Sequence, residues 1–553
     1  MPARYWMALI FLMVFTSGLK AQLTGGTIKG SFQTDFQYYQ DDSILGINDS
    51  TLQGRRTGSN TFLNLTYSSN NLEAGLRMES FLPSMTGYDQ RYTGAGIPYK
   101  YLRFHDDIWD ITAGNFYEQF GNGMVFRSYQ DWTLGIDNSV EGIRIKSKPF
   151  KGVFITAISG VQRYYWDRWD KDDDRGIITG ADAEVDLNDA LPFFGKKVKV
   201  IAGGSFITKS QKDNHPVYKV PKQVAAFAGR LNLSYGPVTL LGEYAYKIND
   251  PSAENGMIYK PGEAIFLQAS YAVKGFSFSA GVKRLDNMGF RSDRNAGLND
   301  LTINYLPSIT KQHINSLPAK YPYATQVQGE MGFSLNLGYK IKKGTWLGGK
   351  YGTDLSATFS RLTDITRLPL DSITPVGQAG TLGYTTDFFR SGEKFFEDIS
   401  LELQRKITKD LKISFIYAWI FYNIGVIEGH LGEENVVSHN AVADITWKVT
   451  SRKALRFEVQ HLLTHEDDGD WMAGLIEFTH HGFFASVSDQ WNYGNPEASK
   501  QIHYLMVACG LSKGATRIAA SYGRQNDGIL CIGGVCRYVP AISGFSVTLT
   551  SSF

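Results

Sequence analysis

The feature that most constrains this chain is a regular two-residue alternation of apolar and polar side chains. Since successive side chains of a strand point to opposite faces, each such segment has one apolar face and one wet face. The chain is therefore predicted to fold into strands with apolar surface on one side and a polar region on the other. The clearest case spans 327–340, with Val327, Met331, Phe333, Leu335, Leu337 and Tyr339 on one parity and Gln328, Glu330, Ser334, Asn336 and Lys340 on the other.

The same alternation recurs about every 22 residues and predicts about 24 strands, with a range of about 22–26. Charged side chains on these strands would destabilise a lipid-facing surface, so they are expected to face a wet interior. Three other segments show the alternation clearly. In the first, Leu72, Leu76 and Met78 share one parity and Glu73, Arg77 and Glu79 share the other; the second and third segments are 347–359 and 399–404.

Long and short connections alternate along the chain, which predicts the two unequal ends of a transmembrane barrel. The fold class is therefore all-β: a large antiparallel outer-membrane β-barrel with short periplasmic turns, long extracellular loops and no plug domain. The longest loops are expected at 117–138, 286–324 and 363–395. An even strand number would leave both termini in the periplasm.

The two ends of the sequence agree with export to a Gram-negative outer membrane. Residues 1–21 have the pattern of a signal peptide, with Arg4 before a short apolar run, so the barrel is expected to span 22–553. No later apolar run is long enough for a transmembrane helix. The last segment places Phe545, Val547, Leu549 and Phe553 on one parity, which is typical of the C-terminal assembly signal of such barrels.

The segment 117–138 is too apolar for a freely solvated loop. Two interpretations remain open: an inward-folded constriction lined by Arg127 and Asp131, or a loop packed against the barrel wall or neighbouring loops. The candidate residues are Phe120, Met124, Phe126, Arg127, Asp131 and Trp132.

Sites for covalent or metal chemistry are weakly indicated. Cys531 and Cys536 flank Gly-Gly and could form a disulfide in an oxidising compartment. Asp170, Asp172 and Asp174 alternate as in a calcium loop, but the glycine comes one place late and no closing glutamate follows, so no metal site is predicted. No catalytic residues, enzymatic activity or cofactor are expected.

Three stretches carry a family resemblance: residues 114–123 with 134–138, residues 284–292, and residues 306–313 with 321–326. They read GNFYEQFGNG and LGIDN, RLDNMGFRS, and LPSITKQH with YPYATQ. They resemble a Bacteroidetes-type outer-membrane β-barrel family of unknown function. The resemblance implies a barrel over essentially the whole mature chain and an association with larger outer-membrane assemblies.

Two functions follow from these expectations. The first is a non-enzymatic structural or accessory subunit of a larger outer-membrane complex, such as barrel-insertion or protein-secretion machinery. The alternative is a loop-gated pore for solute uptake. Expected partners are outer-membrane lipid and lipopolysaccharide, the barrel assembly machinery, and other outer-membrane proteins or lipoproteins. The net charge of +2 gives no reason to expect nucleic-acid binding.

Overall fold

The computed structural model describes residues 25–167, 174–191, 197–213, 215–430 and 432–553. The expected signal peptide, and Asp170 and Asp172 of the weak calcium pattern, lie outside these ranges. Within them the chain forms one closed antiparallel barrel of 24 strands. The predicted all-β barrel of about 24 strands is confirmed.

Numbered in chain order, the barrel strands are β1 (Thr27–Tyr39), β2 (Thr57–Ser69), β3 (Leu72–Phe81), β4 (Gly94–His105), β5 (Trp109–Phe116), β6 (Val140–Phe150), β7 (Val153–Gln162), β8 (Ile177–Asp186), β9 (Val198–Ser210), β10 (Gln223–Tyr235), β11 (Val238–Lys247), β12 (Gly262–Val273), β13 (Phe276–Asp286), β14 (Gly329–Ile341), β15 (Thr353–Leu368), β16 (Thr385–Lys406), β17 (Leu411–Tyr422), β18 (Val436–Thr450), β19 (Lys453–Leu463), β20 (Trp471–His480), β21 (Phe483–Trp491), β22 (Met506–Lys513), β23 (Thr516–Gln525) and β24 (Ile542–Ser552). Two single-turn helices, α1 (Leu187–Ala190) and α2 (Ile424–Ile427), lie between strands. None of the helices in the described ranges is long and apolar enough to cross a membrane.

Each strand pairs with its neighbours in the chain, and β24 pairs with β1 to close the ring. In this closing ladder Val547 lies opposite Phe36 and Phe545 lies opposite Tyr38. Closure gives every strand two partners, so no strand of the ring has one side unpaired along its whole length.

The two faces of the wall differ in chemistry. Large apolar side chains remain exposed on the outer face around the ring, whereas most charged side chains of the strands point into the lumen. An apolar outer face on a closed barrel is the arrangement that allows strands to span a bilayer. Representative outer-face residues are Leu102, Phe227, Leu267, Leu337, Leu401, Phe415, Ile476 and Ile518.

The connections that follow odd-numbered strands lie at one end, called here the long-loop end, and the others lie at the short-turn end. Most short turns have two to four residues, as at 70–71 and 274–275, while 187–197 and 342–352 are longer. The loops of the long-loop end are L1 (40–56), L2 (82–93), L3 (117–139), L4 (163–176), L5 (211–222), L6 (248–261), L7 (287–328), L8 (369–384), L9 (423–435), L10 (464–470), L11 (492–505) and L12 (526–541).

One loop boundary from the sequence is wrong. The sequence pattern places a loop at 363–395, but β15 continues to Leu368 and β16 begins at Thr385. The ladder between them shifts register here, with Thr363 opposite Lys394 and Arg367 opposite Thr386. These irregularities break the two-residue period, which is why the alternation does not reveal the strands.

The closing ladder gives the first testable prediction. Gly30 exchanges two backbone hydrogen bonds with Phe553, at 2.8 and 2.9 Å, and a Cβ on Gly30 would lie 2.4 Å from the Phe553 ring. We expect Gly30→Val to displace this ring and destabilise the barrel by about 1–3 kcal/mol, as overpacking does. The measurement is the temperature at which the folded band is lost on semi-native gels.

Gly229→Val is the matched control, because Gly229 lies on the outer face of β10 and a Cβ there has no atom within 4 Å. Equal heat resistance of the two variants would contradict the role assigned to the Gly30–Phe553 contact.

Candidate functional site

The lumen is the candidate functional site, and much of it is filled by loops. L3 and L7 fold inward and form a first apolar cluster against the lumen face of β6–β13. The loop residues are Phe120, Met124, Val125 and Phe126 of L3 and Met288, Phe290, Ile303 and Leu306 of L7. The wall side supplies small or branched residues, including Val140, Ile158, Ile178, Ile207, Ala245 and Leu285. Burial of these groups holds both loops inside the ring.

L7 crosses the lumen to form a second apolar cluster on the opposite wall. Its Leu317, Tyr321 and Tyr323 pack against residues of β15–β20, among them Tyr422 and Trp471. Polar contacts fix the crossing. His313 Nε2 lies 2.7 Å from Asp398 Oδ2 of β16, and the Leu317 N–H donates to Gln460 Oε1 of β19 at 3.0 Å.

L12 contributes a third inserted element, a hairpin formed by Gly528–Ile532 and Val535–Val539. A disulfide joins Cys531 to Cys536 across it. At its tip, Gly533 accepts a hydrogen bond from the Tyr305 hydroxyl at 2.9 Å, and Gly534 accepts one from the Thr325 N–H at 2.9 Å. The hairpin therefore rests on L7, inside the ring.

Arg537 ties the same hairpin to two further loops. Its guanidinium donates to the carbonyl oxygen of Thr133 in L3 at 2.6 Å and to that of Gly87 in L2 at 2.8 Å. Four loops thus meet at one place in the lumen.

A buried ionic cluster anchors L3 to the wall. It consists of Arg77 and Glu79 on β3, Asp137 in L3 and Arg163 at the start of L4, each with a side chain at most 4% exposed. Arg163 donates to both oxygens of Glu79, at 2.9 and 2.7 Å, and the Arg77 Nε donates to Glu79 at 2.6 Å. Asp137 bonds both arginines. Bidentate contacts of this kind are among the stronger ionic hydrogen bonds.

The surroundings of Asp137 keep it charged. Burial raises the pKa of its carboxyl, but the attraction of Arg163 and Arg77, with the Ser139 N–H and the Tyr117 hydroxyl, outweighs burial and lowers it below the usual range. Aromatic rings enclose the cluster: the Arg163 guanidinium lies 5.8 Å from the Tyr92 ring centroid and 5.7 Å from that of Trp166. These rings exclude water and stabilise the cations.

The tip of L3 reaches the far wall. Glu243 of β11 accepts from both the N–H and the side-chain amide of Asn122, at 2.9 and 2.8 Å. Gly121 adopts φ +53°, and a Cβ there would lie 2.8 Å from the Glu243 carboxylate. Only glycine fits both the left-handed backbone and this approach.

One sector of the lumen lies outside both large apolar clusters. Neither cluster includes a residue of β21–β24. Two neighbouring cavities, of about 220 and about 90 Å³, lie at the long-loop ends of these strands and of β1, and both are lined by Met506 and Gln525. Their lining includes the hydroxyl and amide side chains of Gln37, Ser488, Gln490, Ser521 and Ser546, and the charged Lys320, Arg524 and Asp527 also line the larger cavity.

The structure places the sequence-derived loop candidates in different environments. Phe120, Met124 and Phe126 are buried in the first apolar cluster, and Trp132 packs beside Phe62 and Phe81. The Arg127 guanidinium contacts two aromatic rings: it lies 4.4 Å from the ring centroid of Tyr129 and 4.1 Å from that of Tyr305. Asp131 accepts the Thr133 N–H at 2.9 Å and shapes the loop. The loop is therefore both folded inward and packed.

The remaining candidates lie apart from this site. Phe545, Val547 and Leu549 face outward on β24, and Phe553 lies beside Gly30. Asp174 is described, and within the described residues there is no group of three or more His, Cys, Asp or Glu arranged to hold a metal ion. The sequence analysis missed the cluster of Arg77, Glu79 and Arg163, although the wet parity of β3 had signalled the first two.

The chain belongs to the Family of unknown function (DUF6029), whose profile matches residues 3–553. The expected membership of a family of unknown function is thereby confirmed, whereas the Bacteroidetes source stays a prediction. No curated protein matches the chain.

Solved outer-membrane structures resemble it remotely. The siderophore receptor PirA from Pseudomonas aeruginosa is 12% identical, with 95% of this chain and 80% of that chain covered and a TM-score of 0.42. The copper transporter OprC is 8% identical, with 96% and 80% covered and a TM-score of 0.40. OccAB4 from Acinetobacter baumannii is 11% identical, with 85% and 99% covered and a TM-score of 0.35. Likenesses this remote carry no argument about function.

The ionic cluster predicts a large effect of one substitution. Asp137→Ala leaves Arg77 and Arg163 buried with one carboxylate fewer, and removal of one partner from such a network costs about 3–5 kcal/mol. We expect L3 to detach and become sensitive to proteases at 117–139. Denaturant unfolding in detergent and limited proteolysis measure the two effects. Asp354→Ala, which breaks the half-exposed Lys340–Asp354 pair, is the control and should change little.

The lowered pKa of Asp137 predicts an acid-dependent release of L3. A carboxyl whose folded pKa is depressed stabilises the fold above its unfolded value, about 3.9, and that stability is lost as the pH falls towards the folded value. Proteolysis of L3 should therefore be constant from about pH 7 to 5 and rise below about pH 4. Asp137→Asn should remove this dependence; the same acid transition in that variant would show that another group controls the loop.

Proposed function

We propose that this protein is an integral outer-membrane barrel that conducts small hydrophilic solutes along one sector of its lumen, past loops that close the rest. The observation that carries this proposal is the pair of cavities, with several hydroxyl and amide groups in their lining, at the long-loop ends of β21–β24 and β1. The proposal agrees with the second of the two functions expected from sequence.

Placement in a membrane rests on the wall itself. The ring is closed, so most backbone hydrogen bonds of its wall are made between strands, and its outer face exposes apolar side chains around the ring. The long-loop end would face the cell exterior and the short-turn end the periplasm, as in other barrels of this type.

The proposed path follows the lumen face of the closing strands. On β24 this face carries Ser546, Thr548, Thr550 and Ser552, and on β1 it carries Ser31, Gln33, Asp35 and Gln37. These side chains are partly exposed, in contrast to the buried apolar residues on the walls that L3 and L7 cover.

The lining favours a particular class of solute. Hydroxyl and amide groups both donate and accept hydrogen bonds, so they can replace water around neutral polar molecules without a fixed charge preference. We therefore infer uncharged hydrophilic solutes of small size as the cargo. The cationic groups that line the larger cavity, Lys320 and Arg524, are each paired with an aspartate, at 3.0 and 2.6 Å.

A structural or accessory subunit is the second candidate, and the loop-filled lumen favours it. Two apolar clusters and a disulfide-closed hairpin occupy space that a wide channel would leave open. A barrel sealed in this way could act as a scaffold for other outer-membrane proteins.

Single-channel recording tests the proposed path. Met506 lies on the lumen face of β22 between the two cavities, so Met506→Trp should fill the passage and lower conductance several-fold. Val507→Trp adds the same side chain to the outer face of β22 and should leave conductance unchanged.

A second variant in the same experiment is designed to widen the proposed path. Replacement of 529–538 by Asn-Gly removes the L12 hairpin and should raise conductance several-fold. Silent bilayers with the unmodified barrel and with this deletion would overturn the pore and leave the scaffold as the function. If Met506→Trp and Val507→Trp lower the conductance equally, the solutes do not pass along the proposed sector of the lumen.

A further inference from the structure

An ion pair lies on the outer face of the barrel wall. Lys100 Nζ of β4 is 3.1 Å from Glu141 Oε1 of β6, and each side chain is 58% exposed. The register fixes their direction: Lys100 shares its parity with the exposed Leu102 and Phe104, and Glu141 shares its parity with Ile143. Both charges therefore point away from the lumen.

The pair lies deep within the proposed apolar band. Lys100 is four residues from Phe104 along β4, which is about 13 Å at about 3.3 Å per residue. The apolar band of an outer-membrane barrel is about 25 Å tall. Because barrel strands are tilted by about 35–45°, Lys100 lies about 10 Å above Phe104 along the membrane normal, within the apolar band, where contact with lipid chains is unfavourable for a charged group.

The wall is also interrupted beside this pair. β5 ends at Phe116, and it pairs with β4 only from Tyr101 to His105. The Asn115 side chain accepts the Lys100 N–H at 3.0 Å, and L3 then turns into the lumen. The upper part of β4 has no strand partner on this side in the described residues. Pro98 lies on this free edge and cannot donate a backbone hydrogen bond, which disfavours addition of another strand.

These observations favour a protein rather than lipid against this face, and the charges point to its identity. We propose that the outer face around Lys100 and Glu141 is the contact surface between two copies of this chain. A twofold axis along the membrane normal keeps each residue at its own depth. Lys100 of each copy can then meet Glu141 of the other, so one patch carrying both charges is complementary to itself.

This inference rests on the membrane placement proposed above but not on conduction. A barrel that conducts nothing can still pair through this face, and a pore can be monomeric. The outcomes for conductance and for assembly are therefore independent.

Charge reversal gives a specific test. In Lys100→Glu, both contact positions of each copy are negative, and in Glu141→Lys both are positive, so each variant alone should be monomeric. An equimolar mixture should dimerise, because each contact then joins a glutamate to a lysine. The measurement is the molar mass of the purified barrel in nanodiscs, with the two variants carrying different affinity tags.

The controls separate assembly from folding. Lys340→Glu breaks a similarly exposed ion pair on the lumen face and should leave the dimer intact. Heat resistance on semi-native gels shows that each variant is a folded barrel. A monomeric unmodified protein, or single reversals that remain dimeric, would overturn the proposal, as would a mixture that fails to associate.

Cross-linking in the native membrane tests the same surface without altering its charges. Ile143→Cys in a Cys509→Ser background should form a dimer with a short thiol-reactive cross-linker. The unmodified chain carries its exposed thiol, Cys509, on the outer face of β22, away from the proposed contact, and should give no covalently cross-linked dimer under the same treatment. Equal cross-linking from both positions would indicate random collision and contradict a specific interface.

Discussion

One geometric constraint governs this molecule: a ring of 24 strands encloses a lumen too wide for its own wall side chains to fill. Barrel diameter grows with strand number, and barrels of about 22 strands normally contain a plug. In the described residues, connections of the long-loop end occupy this space. L3, L7 and L12 leave the wall and pack inside it. The lumen side of β6–β13 carries small and branched residues because it receives these loops.

The inserted loops need polar anchors as well as apolar contact, because the lumen face of the strands carries charges. Arg77, Glu79, Asp137 and Arg163 form a network in which every charge has an opposite partner. Burial of an ion pair adds little net stability, since desolvation offsets the attraction. The network instead determines the position of L3, because the Asp137 carboxylate must lie between two guanidinium groups and this fixes where the loop enters the lumen.

Sequence alone predicts the wall well and the interior poorly. Alternation over 327–340 identifies strand β14 and its faces, because a half-wet sheet imposes a two-residue period. The ends of β15 and β16 next to L8 have no such period, since the ladder between them shifts register. The apolar character of 117–138 indicates that this loop avoids water. It does not reveal Arg77 and Arg163 as the partners of Asp137, because contacts across 60 and 26 residues follow from the closed ring.

The lumen face and the outer face of the wall carry different candidate functional features. Inside, the two large apolar clusters follow β6–β13 and β15–β20, and the two cavities lie beside the closing strands β21–β24 and β1. Outside, the wall is interrupted where β5 ends early to release L3, and the Lys100–Glu141 pair lies beside that interruption. L3 thus leaves the wall beside this ion pair and then fills part of the lumen. A short β5 therefore connects the loop-filled lumen to the contact surface proposed for the outer face.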